Sequence, residues 1–256
     1  MRTTLTRVFF LGISSTWISA LIVTPAVATS QIKVVATGDS ITDTYVLYYP
    51  ITDSIKYFAD TGYEVQFQNI STPGLNAQQY AGRTKHPWNS GLRNYAQEVA
   101  DAHPDVIIFM LGTNDVFGGD KDWKAYQACI PEIFNYWKNG PKVIVSGILP
   151  QLYNKTNQLI TERYNPFLQQ QAENFGFIFY DVNAMLRSKP NWQSYYHTDG
   201  LHLNSSPGDT WLARTMCDAV KENLEPLPEP GTCSLFVLAA VCLLGYGWQL
   251  QRGRGY

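Results

Sequence analysis

The sequence predicts an α/β protein, a three-layer α/β/α sandwich around a five-stranded parallel sheet. Two observations carry that expectation. Apolar runs of strand length alternate with amphipathic segments of helix length, and the runs are continuous in Val, Ile and Phe, as in strands buried on both faces. The expected strands are 32–37, 64–69, 106–111, 143–148 and 177–180. Helices are expected near 46–60, 91–102, 122–138, 156–175 and 207–224. Right-handed crossovers leave few topologies for such units, and the commonest open order for five strands is 2-1-3-4-5, the flavodoxin-like arrangement.

That order has a consequence for the cysteines. The helices bearing Cys129 and Cys217 pack on opposite faces of the sheet, so two buried thiols are expected rather than a disulfide. The other two cysteines, Cys233 and Cys242, fall in the C-terminal apolar run, and the absence of a CxxC weakens a redox or zinc reading.

The two ends of the chain have the composition of addresses. Residues 1–28 carry Arg2 and Arg7, an apolar stretch over 8–23 and Ala26-Val27-Ala28, the pattern of a secretory signal peptide. Residues 226–256 carry Pro228-Glu229-Pro230, an apolar run over 233–248, then Arg252 and Arg254. In that order the pieces resemble the PEP-CTERM sorting signal. The resemblance implies exosortase processing and delivery to the cell envelope or outer surface of a Gram-negative bacterium. A permanent single-pass anchor fits the same charges. Membrane contact is thus expected only through the terminal segments, with 29–225 as the one folded domain.

Segments 1–28 and 231–256 hold four of the 19 basic residues and none of the 21 acidic ones, leaving a formal charge of −6 between them. With no basic run, nucleic acid is excluded as an expected partner.

In sheets of this kind the ligand lies outside the carboxyl ends of the strands. The stretch GDSIT (38–42) follows the first strand there and offers Ser40. A serine hydroxyl attacks only with a base, a group orienting that base, and donors for the oxyanion. HTDGLHLN (197–204) supplies His202 as base, and Asp199, three residues earlier, as its orienter across a turn at Gly200. LGTND (111–115) offers the Asn114 amide, NISTPGLN (69–76) the Gly74 N–H, and Ser40 its own N–H. His103 reads as a helix cap and His86 as a loop residue with no acid nearby. Asp39 braces the turn, with Asp39, Trp192 and His197 as candidate substrate contacts.

These four blocks, in this order, resemble the SGNH (GDSL) hydrolases over about 32–224. The resemblance implies the SGNH hydrolase fold, ester hydrolysis through an acyl-serine, and no metal or other cofactor. Carried over by position, it makes Ser40 the nucleophile, His202 the base and Asp199 the acid, with Ser40, Gly74 and Asn114 as the oxyanion hole. Ser71 stands where the second block often has a further glycine, and Pro73 stiffens the approach.

Other readings use the same residues differently. His197, Asp199 and His202 could ligate a metal, but no HxxxH helix supplies further ligands. A non-catalytic surface carbohydrate-binding protein would use the aromatic clusters, 14% of the chain being Phe, Trp or Tyr. Among enzymes, no apolar lid insertion is visible, which favours short acyl groups, acetyl on carbohydrate foremost. A lysophospholipase, a thioesterase-like acyl hydrolase or a transacylase are the alternatives.

Overall fold

The computed structural model describes residues 30–43 and 57–225. The expected first helix falls mostly outside them, as do the signal-peptide and sorting segments. Five parallel strands form one sheet in the order β2-β1-β3-β4-β5: β1 Ser30–Gly38, β2 Tyr63–Ser71, β3 Val106–Met110, β4 Lys142–Ser146 and β5 Ile178–Tyr180. This is the predicted order. The central β1 pairs with β2 from Ser30↔Tyr63 to Gly38↔Ser71, and with β3 from Val34↔Val106 to Gly38↔Met110.

The helices are α1 Ala77–Tyr80, α2 Tyr95–Asp101, α3 Gly119–Asn135, α4 Asn154–Leu159, α5 Asn165–Phe175, α6 Val182–Arg187 and α7 Thr210–Asn223. A π-helical turn, Ile160–Tyr164, joins α4 to α5, so the expected helix at 156–175 is continuous in chain but not in hydrogen-bond pattern. The short α1 was not expected. Asn76 creates it with a capping box, its side chain accepting from Gln79 N–H while the Gln79 side chain accepts from Asn76 N–H.

The strand periodicity splits the core into two layers. Val35, Ile107, Phe109, Val143 and Val145 point to one face, where α2, α3 and α5 bring Tyr95, Tyr126, Phe134 and Leu168 and the turn after α3 brings Trp137. Val34, Ala36, Ile108 and Ile144 point to the other, against Leu186, Leu212, Met216 and Val220 of α6 and α7. Every residue of β3 is buried, as its unbroken apolar sequence requires. Edge strand β2 departs from the expected continuous run: exposed Glu64, Gln66 and Gln68 alternate with half-buried Val65 and Phe67, because successive side chains lie on opposite faces of the sheet. Cys129 and Cys217 are free, buried and in different layers, as expected from the topology.

Candidate active site

All five strands run the same way, so the loops after β1, β2 and β3 meet at one edge. At the end of β1 the chain must turn against β3. Gly38 does so with φ +152°, and a Cβ there would lie 1.8 Å from the Met110 carbonyl oxygen. Only glycine fits. The Asp39 N–H then donates to Met110 O at 3.3 Å, and the Thr42 and Asp43 N–H groups reach Asp39 O, so a helical turn begins at Ser40.

The partner of Ser40 comes from a short hairpin closed by the antiparallel bridge Tyr196↔Leu203. His197 N–H donates to His202 O at 2.9 Å and Gly200 N–H to His197 O at 3.0 Å. Gly200, at φ +62°, turns the chain so that Asp199 faces back toward His202. Asp199 Oδ2 lies 2.8 Å from His202 Nδ1, and His202 Nε2 lies 3.0 Å from Ser40 Oγ. Asp199 Oδ1 accepts from the Leu201 and His202 N–H groups at 2.9 and 3.0 Å. Partial burial opposes the Asp199 charge, but these two backbone donors and the His202 ring outweigh it and hold the carboxyl down at about 2.

A second contact to this hairpin was not expected from the sequence. The loop after β4 clamps it: Leu152 N–H donates to Gly200 O at 3.0 Å and Tyr153 OH to Asp199 O at 2.6 Å. Its position after a strand at the ligand edge was the one available signal.

On the other side of Ser40, the loops after β2 and β3 are tied together. Asn114 Nδ2 donates to Leu75 O at 2.9 Å, which fixes the amide's orientation and leaves its second N–H uncommitted to that bond. Gly74, beside Leu75, is exposed at φ +80°. Asp115 is buried and its carboxyl accepts from Ala77 N–H; burial pushes it up to about 8. The arrangement thus brings Ser40, His202 and Asp199 into one hydrogen-bonded chain, with Gly74 and Asn114 on adjoining, mutually bonded loops.

The remaining site candidates sit elsewhere. Asp39 is 1% exposed and turned inward, where Oδ1 accepts from Ile41 N–H at 3.0 Å. It caps the turn that carries Ser40, the bracing role expected of it. Burial raises its carboxyl to about 6 against the Ile41 N–H, Thr113 and the charge of His202. Trp192 packs on the second core layer, under the Arg187 guanidinium at 5.5 Å and edge-on to Tyr196. Trp192 is half-buried. The His197 side chain is exposed, and its backbone holds the hairpin. His86, set aside as a loop residue, is buried, with Nε2 3.6 Å from where a Gly74 Cβ would be.

An open parallel α/β sheet with a Ser-His-Asp relay at its carboxyl edge defines a serine hydrolase framework. The chain belongs to the GDSL-like lipase/acylhydrolase family, whose profile matches residues 36–206. It is 25% identical over 236 residues to an acetylxylan esterase from Xylanibacter ruminicola. That match takes in 80% of this chain and 46% of the relative, so the chain spans about half of that protein's length. Among solved structures, a lipase/acylhydrolase from Enterococcus faecalis superposes at TM-score 0.58 with 18% identity, over 77% of this chain and 99% of that one. A variant of an acetyl xylan esterase from Geobacillus stearothermophilus superposes at 0.60 with 17% identity, over 79% and 100%.

Proposed function

We propose that this protein is a serine esterase that hydrolyses short-chain esters, acetyl groups on carbohydrate in particular. The observation that carries the reading is the unbroken relay from Asp199 through His202 to Ser40, at 2.8 and 3.0 Å. His202 Nε2 takes the Ser40 proton as Oγ bonds to the ester carbonyl carbon. The carbonyl oxygen becomes an oxyanion facing the N–H groups of Ser40 and Gly74 and the free N–H of Asn114. His202 then gives the proton to the departing alkoxide as the acyl–oxygen bond breaks, and water repeats the sequence to release the acid. Ionised Asp199 stabilises the imidazolium throughout.

Family membership supports ester hydrolysis, and the acetylxylan esterase relative supports an acetylated sugar substrate. A chain-length series of nitrophenyl esters, run beside acetylated xylan, tests both. Turnover should peak at acetyl and acetylated xylan should release acetate. Best turnover on C8 or longer chains would overturn the substrate assignment. Failure of a fluorophosphonate probe to label Ser40 would overturn the esterase itself.

The residue patterns of 1–28 and 226–256 support export and an exosortase-processed C-terminus as part of the same reading. Mass analysis of the exported protein tests this: an intact residue 256 in the mature form would exclude processing.

A further inference from the structure

The loop between α1 and α2 contributes a pair of rings that the relay does not use. The Trp88 N–H donates to His86 Nδ1 at 3.3 Å, so Nδ1 is the acceptor of that ring and Nε2 carries its hydrogen. Among the described residues Nε2 has no hydrogen-bond partner, though His86 is only 4% exposed. That nitrogen stands against Gly74, 3.6 Å from the position a Cβ would occupy there. The donor therefore lies beside a proposed oxyanion N–H, where an oxygen of a bound substrate can accept from it.

Trp88 lies edge to face with His86, ring centroids 5.1 Å apart and planes at 84°, yet it is 71% exposed. A lone exposed tryptophan would mean little. This one is on a braced loop. Asn89 N–H donates to His86 O at 3.0 Å, Asn89 Nδ2 reaches Tyr95 OH at 3.3 Å, and Tyr95 OH shares a 2.8 Å hydrogen bond with Thr72 Oγ1 at the end of β2.

We propose that His86 and Trp88 form the subsite for the sugar ring that carries the ester. Trp88 stacks on the C–H face of a pyranose, and the His86 Nε2–H donates to a sugar oxygen next to the ester. A flat apolar face beside a polar donor suits a pyranose, which presents C–H groups on its face and hydroxyls at its rim. A long acyl chain would cover Trp88 but leave the His86 donor unmet. The subsite deepens the carbohydrate-esterase reading and rests on it for the chemistry at Ser40, but sugar binding is measurable without turnover.

The test has a binding arm and a kinetic arm on the full folded protein. Xylotetraose is titrated calorimetrically into Ser40→Ala protein, alone and with Trp88→Ala, His86→Phe or His86→Gln added. Trp88→Ala and His86→Phe should each raise Kd by about tenfold, the loss of one good contact, while His86→Gln, which keeps an N–H, stays close to the parent. With Ser40 intact, Trp88→Ala and His86→Phe should raise KM for acetylated xylo-oligosaccharide by a larger factor than KM for nitrophenyl acetate. No xylotetraose binding by the parent, or equal losses on both esters, would overturn the subsite. So would a loss confined to nitrophenyl octanoate, which would make Trp88 part of an acyl groove. A protein that binds xylotetraose through Trp88 but cleaves no ester would keep the subsite and sink the esterase reading instead. Trp88 is exposed enough for its alanine variant to fold, so a misfolded His86→Phe does not leave the question open.

Discussion

Both carboxyl oxygens of Asp115 accept the backbone N–H of Ala77, at 3.0 and 3.2 Å. One residue earlier, Asn114 grips Leu75 O, so the loop after β3 holds the loop after β2 at two points. Gly74 and Asn114, proposed to share one oxyanion, owe their spacing to this pair of contacts. Asp115→Ala should therefore lower kcat for nitrophenyl acetate by about ten- to a hundredfold with little change in KM, because misplaced donors weaken the transition state more than the ground state. Unchanged kcat in folded protein would show that the spacing is set elsewhere.

Asn114→Ala removes the side-chain donor itself. Its kcat should fall by about a hundredfold or more, as for other single oxyanion donors. A loss within twofold would remove Asn114 from the oxyanion hole.

Much of this was legible from the chain because each functional block sits where a strand ends. The run from Val106 to Met110 had to be buried on both faces, and the turn after it had to reach the ligand edge. The α1 turn was missed, although Asn76 and Gln79 have capping-box spacing. The Tyr153–Asp199 clamp and the approach of His86 to Gly74 were not readable. They join loops whose meeting depends on how all five strands pack, and no local periodicity records that. The packing of Trp192 against the Arg187 guanidinium and Tyr196 was not readable for the same reason.

Ser40→Ala should abolish esterase activity, a drop of about a thousandfold or more, while leaving the thermal midpoint within a degree or two of the parent's. Ser40 is only part-buried, and its hydroxyl bonds to His202 across the cleft, so the fold does not depend on it. Residual turnover near the parent's level would assign attack to another group.

Asp199→Asn tests the orienter. Asp199 is held at about 2, so it is ionised at every pH at which the protein would be assayed, and the acid limb of kcat/KM must report another group. An asparagine amide would present a donor or a weaker acceptor to Nδ1 and disturb the tautomer in which Nε2 accepts the Ser40 proton. Its kcat should fall by about a thousandfold or more at pH 8, with fold stability little changed. Activity within tenfold of the parent would mean that the hairpin alone orients His202.

The buried carboxyls give stability a pH slope of known sign. Asp39, Asp209 and Asp115 are raised to about 6, 7 and 8, in each case chiefly by burial. A carboxyl whose folded pKa lies above its unfolded value contributes stability that is full below the unfolded value, near 3.8, and is lost as pH rises through the folded one. Asp199 works the other way, its contribution present above 3.8 and lost as pH falls toward 2. Together these four favour a stability maximum near pH 4 and a decline from there to about pH 8, steepest below pH 6. In Asp115→Asn the amide oxygen can still accept from Ala77 N–H but carries no charge, so the decline above pH 6 should flatten. Thermal midpoints at pH 5 and pH 9 read this directly: the gap between them should be smaller in Asp115→Asn than in the parent. An unchanged or wider gap would show that Asp115 is not the carboxyl whose ionisation weakens the fold.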